Sequence, residues 1–277
     1  MQPSALHPTL SVLLPVFNGA TYVESTIESV LSQSYSDFEL LVLDDGSQDA
    51  TPQILERCAR RDPRLRIFRH ENHGVGYTLQ RGLSECGGRY VALIGADDLA
   101  LPGRFEKQVS FLETNPDYVF VGGYLQIIDT GGRVIGLRRY PATDRNLRRT
   151  MLLYNPFGAP AAMFRREDAL AAGGFTSRFW TCEDYDFFLR LAKRGKVANL
   201  TEALVSYRLH SNAVKATQTL RQLRDTLATK RAAYTEYGYR PSLIARVTDL
   251  ALAVMTWLPP AFTYRLFTRV AIRGRRT

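Results

Sequence analysis

Four times between Leu10 and Asp98 a short apolar run ends in turn residues, and the first three lead into segments whose apolar residues recur at helical spacing. Leu10 to Phe17 stops at Asn18-Gly19, and Thr21 to Gln33 then carries Val23, Ile27, Val30 and Leu31 on one helical face. Phe38 to Leu43 ends in Asp44-Asp45-Gly46-Ser47, and a helix is predicted from Thr51 with Pro52 at its first position. Arg64 to Arg69 supplies a third strand, Gly74 to Cys86 a helix closed by Gly87-Gly88, and Tyr90 to Gly95 a fourth strand running into Ala96-Asp97-Asp98. Such alternation predicts a mostly parallel, Rossmann-like α/β sheet flanked by helices, with right-handed crossovers. In sheets of that kind ligands bind beyond the carboxyl ends of the strands.

Asp97 and Asp98 stand at that edge. Adjacent carboxylates repel, so the pair needs a cation or backbone donors to offset the repulsion. A turn or helix cap explains one aspartate better than two, and hard oxygen ligands suit Mg²⁺ or Mn²⁺ on a phosphate ester. Asp44-Asp45 ends a strand at the same level. There an ordinary Asp-Gly turn and a hydrogen bond to a nucleotide base are equally good readings. Glu183-Asp184-Tyr185-Asp186 opens a predicted helix. Acids are favoured in a first turn by the helix dipole, but three exceed that need. A carboxylate enclosed by Trp180, Tyr185 and Phe187 would suit a general base for a sugar hydroxyl. His210 admits three readings: bystander, metal ligand or phosphate partner. Gly74-x-Gly76 follows a third strand rather than a first and has Leu79 in place of a third small residue, which argues against a dinucleotide fingerprint.

After Asp98 the pattern changes. A helix is predicted from Leu101-Pro102-Gly103 through Leu112, then β-like pieces at Tyr118 to Val121 and Arg133 to Leu137. Helices follow at Glu167 to Ala172 and Glu183 to Lys193, and a strand at Val205 to Leu209. The chain divides at about residue 215, with a catalytic domain over 1–215 and a basic helical region over 216–277. In the latter, Leu243, Val247, Leu250, Ala251 and Val254 share a face, and Trp257 and five arginines follow. A solvated packing helix and a helix lying in a lipid interface both fit that pattern.

The 277 residues, 45% hydrophobic and 23% charged, can bury a large core. The net charge of +9 favours anionic partners such as nucleotides, lipid phosphates or an anionic membrane surface. Cys58, Cys86 and Cys182 form no CxxC pair, so neither a disulfide framework nor a zinc site is predicted. The first eight residues lack a secretory pattern, and no stretch reaches the ~18 apolar residues of a membrane span. A cytoplasmic location follows, peripheral on the cytoplasmic face of the membrane if the basic tail binds lipid.

The segments Ser11 to Asn18, Leu31 to Leu40, Asp44 to Ser47, Ala96-Asp97-Asp98, Gly173-Gly174-Phe175 and Glu183 to Asp186 resemble those of the inverting family 2 glycosyltransferases of GT-A fold, over roughly Leu10 to Ser211. The resemblance implies that Pro15, Val16, Phe17 and Asp45 surround the base of a nucleotide-sugar donor, with UDP the expected carrier. It places Asp97 near the ribose and Asp98, with His210, at a divalent cation on the diphosphate. Asp184 becomes the catalytic base, and Gly173, Gly174, Phe175 and Glu183 shape the acceptor side. The implied partners are a nucleotide-sugar and a saccharide acceptor, lipid-linked if the tail binds membrane, and not nucleic acid. Two departures stand out. Gly95 replaces a further aspartate common in the family, and the Gln-x-x-Arg-Trp signature of processive synthases is missing, which favours single addition. A sugar nucleotidyltransferase would want a basic Gly-rich loop after the first strand, which Asn18 to Thr21 does not supply. A non-catalytic membrane scaffold would have no use for both Asp98 and Asp184.

Overall fold

The computed structural model describes residues 8–209 and 219–257. Its centre is a nine-stranded sheet that begins as the sequence predicts. Strands β1 (Leu10–Val16), β2 (Phe38–Asp44), β3 (Leu65–Arg69) and β4 (Tyr90–Leu93) run parallel in the order β3-β2-β1-β4. Residues along β1 and β2 alternate between two cores, as the two-residue strand period requires. Leu10, Val12, Leu14, Val16, Leu40 and Val42 face one layer, with Ile27 of α1 (Val23–Leu31), Leu55 of α2 (Thr51–Arg61) and Phe105 of α4 (Arg104–Thr114). Leu13, Leu41 and Leu43 face the other, where α3 (Val75–Glu85) contributes Leu79 and Leu83. Strands apolar on both faces are the mark of a parallel sheet covered on both sides. Pro52 is the second residue of α2, one place later than expected.

The second half is mixed. Beyond β4 the order continues through β8 (Met163–Arg165), β6 (Tyr118–Ile128), β9 (Lys196–Arg208) and β5 (Leu99–Ala100), and β7 (Val134–Arg138) pairs with Leu125–Ile128 of β6. The apolar pieces expected at Tyr118 and Val205 are the ends of much longer strands, β6 (Tyr118–Ile128) and β9 (Lys196–Arg208), paired in parallel from Tyr118↔Lys196 to Ile128↔Arg208. Gly122-Gly123 interrupts the apolar pattern of β6 for a spatial reason. A Cβ on Gly122 would lie 2.2 Å from Asn199 Oδ1, and one on Gly123 2.4 Å from Leu204 Cδ1. Two short strands, β5 (Leu99–Ala100) and β8 (Met163–Arg165), and the helix α5 (Asp144–Thr150) carry no periodicity long enough to be read. The expected β7 and α6 are present as Val134–Arg138 and Arg166–Ala171.

Helix α7 (Glu183–Leu191) packs its aromatic face into the second core, where Phe120, Phe157 and Phe188 meet edge to face at 4.7, 5.0 and 5.4 Å. Helix α8 (Thr219–Thr235) lies against α7. Asp225 accepts hydrogen bonds from Thr181 N and Oγ1, and the Tyr237 hydroxyl just beyond α8 donates to Asp186 at 2.6 Å. Helix α9 (Leu243–Met255) is pinned to α8 by the buried Lys230, which pairs with Asp249, and by the Tyr234 hydroxyl, which donates to the same carboxylate. Among the described residues no helix is long and apolar enough to cross a membrane.

Candidate active site

The turns that follow β1, β2 and β4 meet because parallel register aligns their ends: Val16 pairs with Asp44, and Asp45 N donates to Val16 O. Asn18, in the left-handed region at φ 50°, donates its amide to Ser47 Oγ and accepts from Gln48 N, which locks the first turn to the second. Asp44 is buried and receives Ser47 N, with Arg69 at 3.3 Å. Asp45 is also buried and receives His73 N at 2.8 Å and Gly74 N at 3.0 Å, so it fixes the loop entering α3. Beside these turns lies an open cavity of about 640 Å³, lined by Phe17, Ser47, Arg69, His70 and Asn72 among others. The Phe17 ring is 50% exposed and offers an apolar face there, whereas Val16 is buried in the core and Pro15 is partly buried.

The β4 turn carries the acidic pair. Asp98 is 1% exposed and its Oδ1 accepts the Arg208 amide at 3.0 Å, while Asp97 is partly exposed. The Arg208 side chain, also buried, clamps the same turn. Its Nε donates to Asp97 O at 3.0 Å, its Nη1 to Asp129 O and Thr130 O, and its guanidinium stacks on Tyr22 at 4.4 Å. Beneath the turn Arg104, fully buried, donates to Leu93 O. Burial pulls its pKa down to about 9, with the Asp98 charge working the other way. The missing side chain at Gly95 has a consequence: a Cβ there would stand 2.6 Å from Asp98 Oδ2 and 3.0 Å from Asp97 Oδ1. Two carboxylate oxygens thus converge on one point. Among the described residues no three His, Cys, Asp or Glu side chains cluster so as to hold a metal alone. A two-carboxylate set of hard oxygens nevertheless fits Mg²⁺ or Mn²⁺, which take most other ligands from water and substrate phosphates. His210 lies outside the described residues.

Asp184 sits in the first turn of α7, partly exposed. Its Oδ1 accepts Tyr185 N at 2.7 Å and its Oδ2 accepts Asn155 Nδ2 at 3.2 Å. The three aromatic residues expected to enclose it each have a packing role of their own. Tyr185 is buried with its hydroxyl on Met151 O, Phe187 packs against Phe164 and Phe175, and Trp180 covers Gly74. A helix turns by about 100° per residue, so neighbours in sequence face different ways. Asp186 is buried against Arg190, Thr176 and Tyr237 and serves the fold. Gly173 and Gly174 take positive φ and end α6. Gln80 accepts Phe175 N, and the Phe175 ring is buried 4.1 Å from Phe187, so that side chain supports the loop from below. Glu183 is partly exposed, near Gly76.

Tyr207 on β9 lies within electrostatic reach of both acidic groups. Burial first, and then the negative charges of Asp98 and Asp97, push its phenol well above the usual range, with Arg138 opposing and Asp184 adding a smaller push. Sequence reasoning missed Tyr207, Arg208 and Asn155. The first two adjoin His210 in the segment already singled out, but nothing in sequence ties Asn155 to Asp184.

A family model described as Glycosyl transferase family 2 matches residues 11–172. The O-antigen biosynthesis glycosyltransferase WbnJ of Escherichia coli is 31% identical over 210 residues, covering 74% of this chain and 82% of WbnJ. Among solved structures, the mannosyltransferase PcManGT from Pyrobaculum calidifontis, in complex with GDP-Man and Mn²⁺, superposes with TM-score 0.66 at 18% identity, covering 98% of this chain and 81% of that one. S. aureus TarS 1-349 in complex with UDP-GlcNAc gives TM-score 0.62 at 16% identity, covering 91% and 82%. The sequence match and the shared fold agree with the resemblance drawn from the motifs, and the chain belongs to glycosyl transferase family 2, with the mixed α/β architecture of GT-A enzymes.

Proposed function

We propose that this protein moves one sugar per encounter from a nucleotide-diphosphate sugar, with UDP as carrier, to a hydroxyl of a lipid-linked saccharide, inverting the anomeric centre, in assembly of a cell-surface polysaccharide. The observation that carries this reading is the β4 turn, where Asp98 Oδ2 and Asp97 Oδ1 converge beside Gly95, and the partly exposed Asp184 is near enough for its charge, like theirs, to act on Tyr207. The name of WbnJ supports a role in surface-polysaccharide assembly, GDP-Man on PcManGT and UDP-GlcNAc on TarS support a nucleotide-sugar donor, and the TarS complex alone supports UDP as carrier.

In this reading the base lies in the cavity beside Phe17, with Pro15 and Asp45 at its border, and Asp97 reaches the ribose. Asp98, with the Asp97 carboxylate beside it, would hold a divalent cation. Such an ion, when bound, neutralises charge on the leaving group. Asn155 and the Tyr185 amide fix the Asp184 carboxylate, which takes the proton of the acceptor hydroxyl as that oxygen attacks from the face opposite the nucleotide. The partly exposed Glu183 and the backbone of residues 173–175 border the acceptor side. Holding both substrates in line removes the entropic part of the barrier.

Asp184→Asn tests the assignment, because the amide keeps the shape and loses the basicity. Turnover is expected to fall by about 10²–10⁴-fold, with donor affinity in Mn²⁺, measured by calorimetry, near wild type. A variant that turns over normally removes Asp184 from the mechanism.

A further inference from the structure

Helix α9 has two apolar faces, and only one is covered. Ala245 and Asp249 turn inward, the first buried at 1% and the second held by Lys230 and Tyr234 of α8. The outer face carries Leu243, Val247, Leu250 and Val254, spaced to form one stripe, with Ile244 and Trp257 beside it. Their exposures run from 54% at Val254 to 89% at Trp257. Single exposed apolar residues are ordinary on a protein surface, but five on one helix with a tryptophan just beyond its end mark an interaction site. The only acid of α9, Asp249, is on the inner face, and Arg240 and Arg246 are exposed nearby. Beyond Trp257 the sequence through Thr277 contains five arginines, at 265, 269, 273, 275 and 276, and no acidic residue.

We propose that the outer face of α9 docks on the surface of an anionic bilayer, with Leu243, Val247, Leu250, Val254 and Trp257 entering the interfacial region and Arg240 and Arg246 meeting lipid phosphates. Charge complementarity selects this occupant: a lipid surface uses the apolar stripe and the cationic stretch together, whereas a second copy of the chain would answer only the stripe. The helix length agrees, since α9 has 13 residues, too few to span but sufficient to lie in the plane. The docking face is coupled to the site by direct contacts. Lys230 and Tyr234 hold α9 to α8, and Asp225 and Tyr237 hold α8 to Thr181 and Asp186 at the start of α7, the helix that carries Asp184. A bilayer seated on α9 therefore has a fixed orientation relative to Asp184, as a lipid-linked acceptor requires. That last step rests on the proposed transfer reaction, whereas membrane docking itself does not.

Flotation of the full chain with vesicles tests the surface without any catalysis. The expected result is binding to vesicles containing phosphatidylglycerol, weaker binding to pure phosphatidylcholine, and a partial loss at high salt. The double variant Val247→Asp/Leu250→Asp replaces two exposed residues and is expected to keep the wild-type circular dichroism and melting temperature while its partition falls about 100-fold. Equal flotation of wild type and variant, or no flotation of the wild type, overturns the proposal. So does a wild-type dimer in sedimentation that the double variant converts to monomer, since the stripe would then belong to a second copy.

Discussion

Arg208→Ala isolates the clamp on the acidic turn, because the backbone amide that reaches Asp98 survives the substitution and only the side chain is lost. The guanidinium makes three bonds to carbonyl oxygens, at 3.0, 3.2 and 3.1 Å, and stacks on Tyr22 at 4.4 Å. Hydrogen bonds to a charged group contribute about 1.5–3 kcal/mol each, and the ring stack about 0.5–1 kcal/mol. Two of the bonds share Nη1, and water entering the vacated space satisfies part of what is exposed. A net loss of about 3 kcal/mol follows, which in a domain of this size lowers the melting temperature by about 6–12 °C. The Asp97-Asp98 turn then loses its tie to the β6–β7 turn and to Tyr22, so the two carboxylates spend less time converged. Nucleotide affinity in Mn²⁺ is expected to fall roughly tenfold, equivalent to about 1.4 kcal/mol. Thermal unfolding and calorimetry with UDP and Mn²⁺ measure the two effects. Arg208→Lys discriminates charge from geometry. An ammonium keeps the charge but cannot span the Asp97 carbonyl and the pair at Asp129 and Thr130, so less than half of either loss should be recovered. Unchanged melting and unchanged affinity in Arg208→Ala would refute the clamp, and full rescue by lysine would reduce it to a charge effect.

Acid stability should report on Glu39, on β2. Burial works to raise its carboxyl, but bonds from the Gly87 amide, Ser11 Oγ and Arg66 outweigh it and hold the pKa below the ordinary 4.5. A depressed folded-state value contributes stability above the unfolded pKa that is lost as pH falls through the folded one. The melting-temperature gap between wild type and Glu39→Gln should therefore be full at neutral pH and close progressively below pH 4.5; a gap that stays constant into acid would contradict the assignment. The thiols of Cys58, Cys86 and Cys182 are all buried, and burial pushes Cys182 up to about 12. The native protein should react negligibly with a disulfide reagent at pH 8 and release all three thiols in denaturant. Any fast-reacting thiol in the native state would count against the packing around it.

The part of the fold that was legible in sequence is the part built from local pattern. Each of the first four strands is an apolar run bounded by turn residues, β1, β2 and β3 pair in chain order, and β4 returns to the free edge of β1, as repeated strand-helix units with right-handed crossovers allow. The second half is built from long-range pairing. β6 and β9 are joined in parallel across more than 60 residues, and the small and polar residues that make their close approach feasible, Gly122, Gly123 and Asn199, are the same residues that hide the strands from a pattern search. The site shows the same division. Asp97, Asp98 and Asp184 stand at strand or helix ends where sequence can find them. Arg208 contacts Asp98 across 110 positions, and Asn155 contacts Asp184 across 29, which only the fold can reveal.

Acidic pairs stand at 44–45, at 97–98 and, one residue apart, at 184 and 186, and the fold treats the three pairs differently. Two carboxylates side by side can remain ionised only if something positive faces each of them. At 44–45 both are answered by the protein itself, Asp44 by Ser47 N and Arg69, Asp45 by two amides of the loop entering α3. At 184 and 186, Asp186 is buried against an arginine and two hydroxyls, whereas Asp184 is partly exposed and accepts bonds from Asn155 Nδ2 and the Tyr185 amide. At 97–98 the buried Arg104 bonds to the carbonyl of Leu93, the last residue of β4, and the Arg208 side chain bonds to the carbonyl of Asp97. Both guanidiniums thus brace backbone carbonyls at or just before the turn, while the two carboxylate oxygens converge beside Gly95. A turn braced through its carbonyls, with its acid groups brought together, is the arrangement that a cation shared with a diphosphate would require. It also explains why a glycine stands at 95, since a Cβ there would occupy the convergence point.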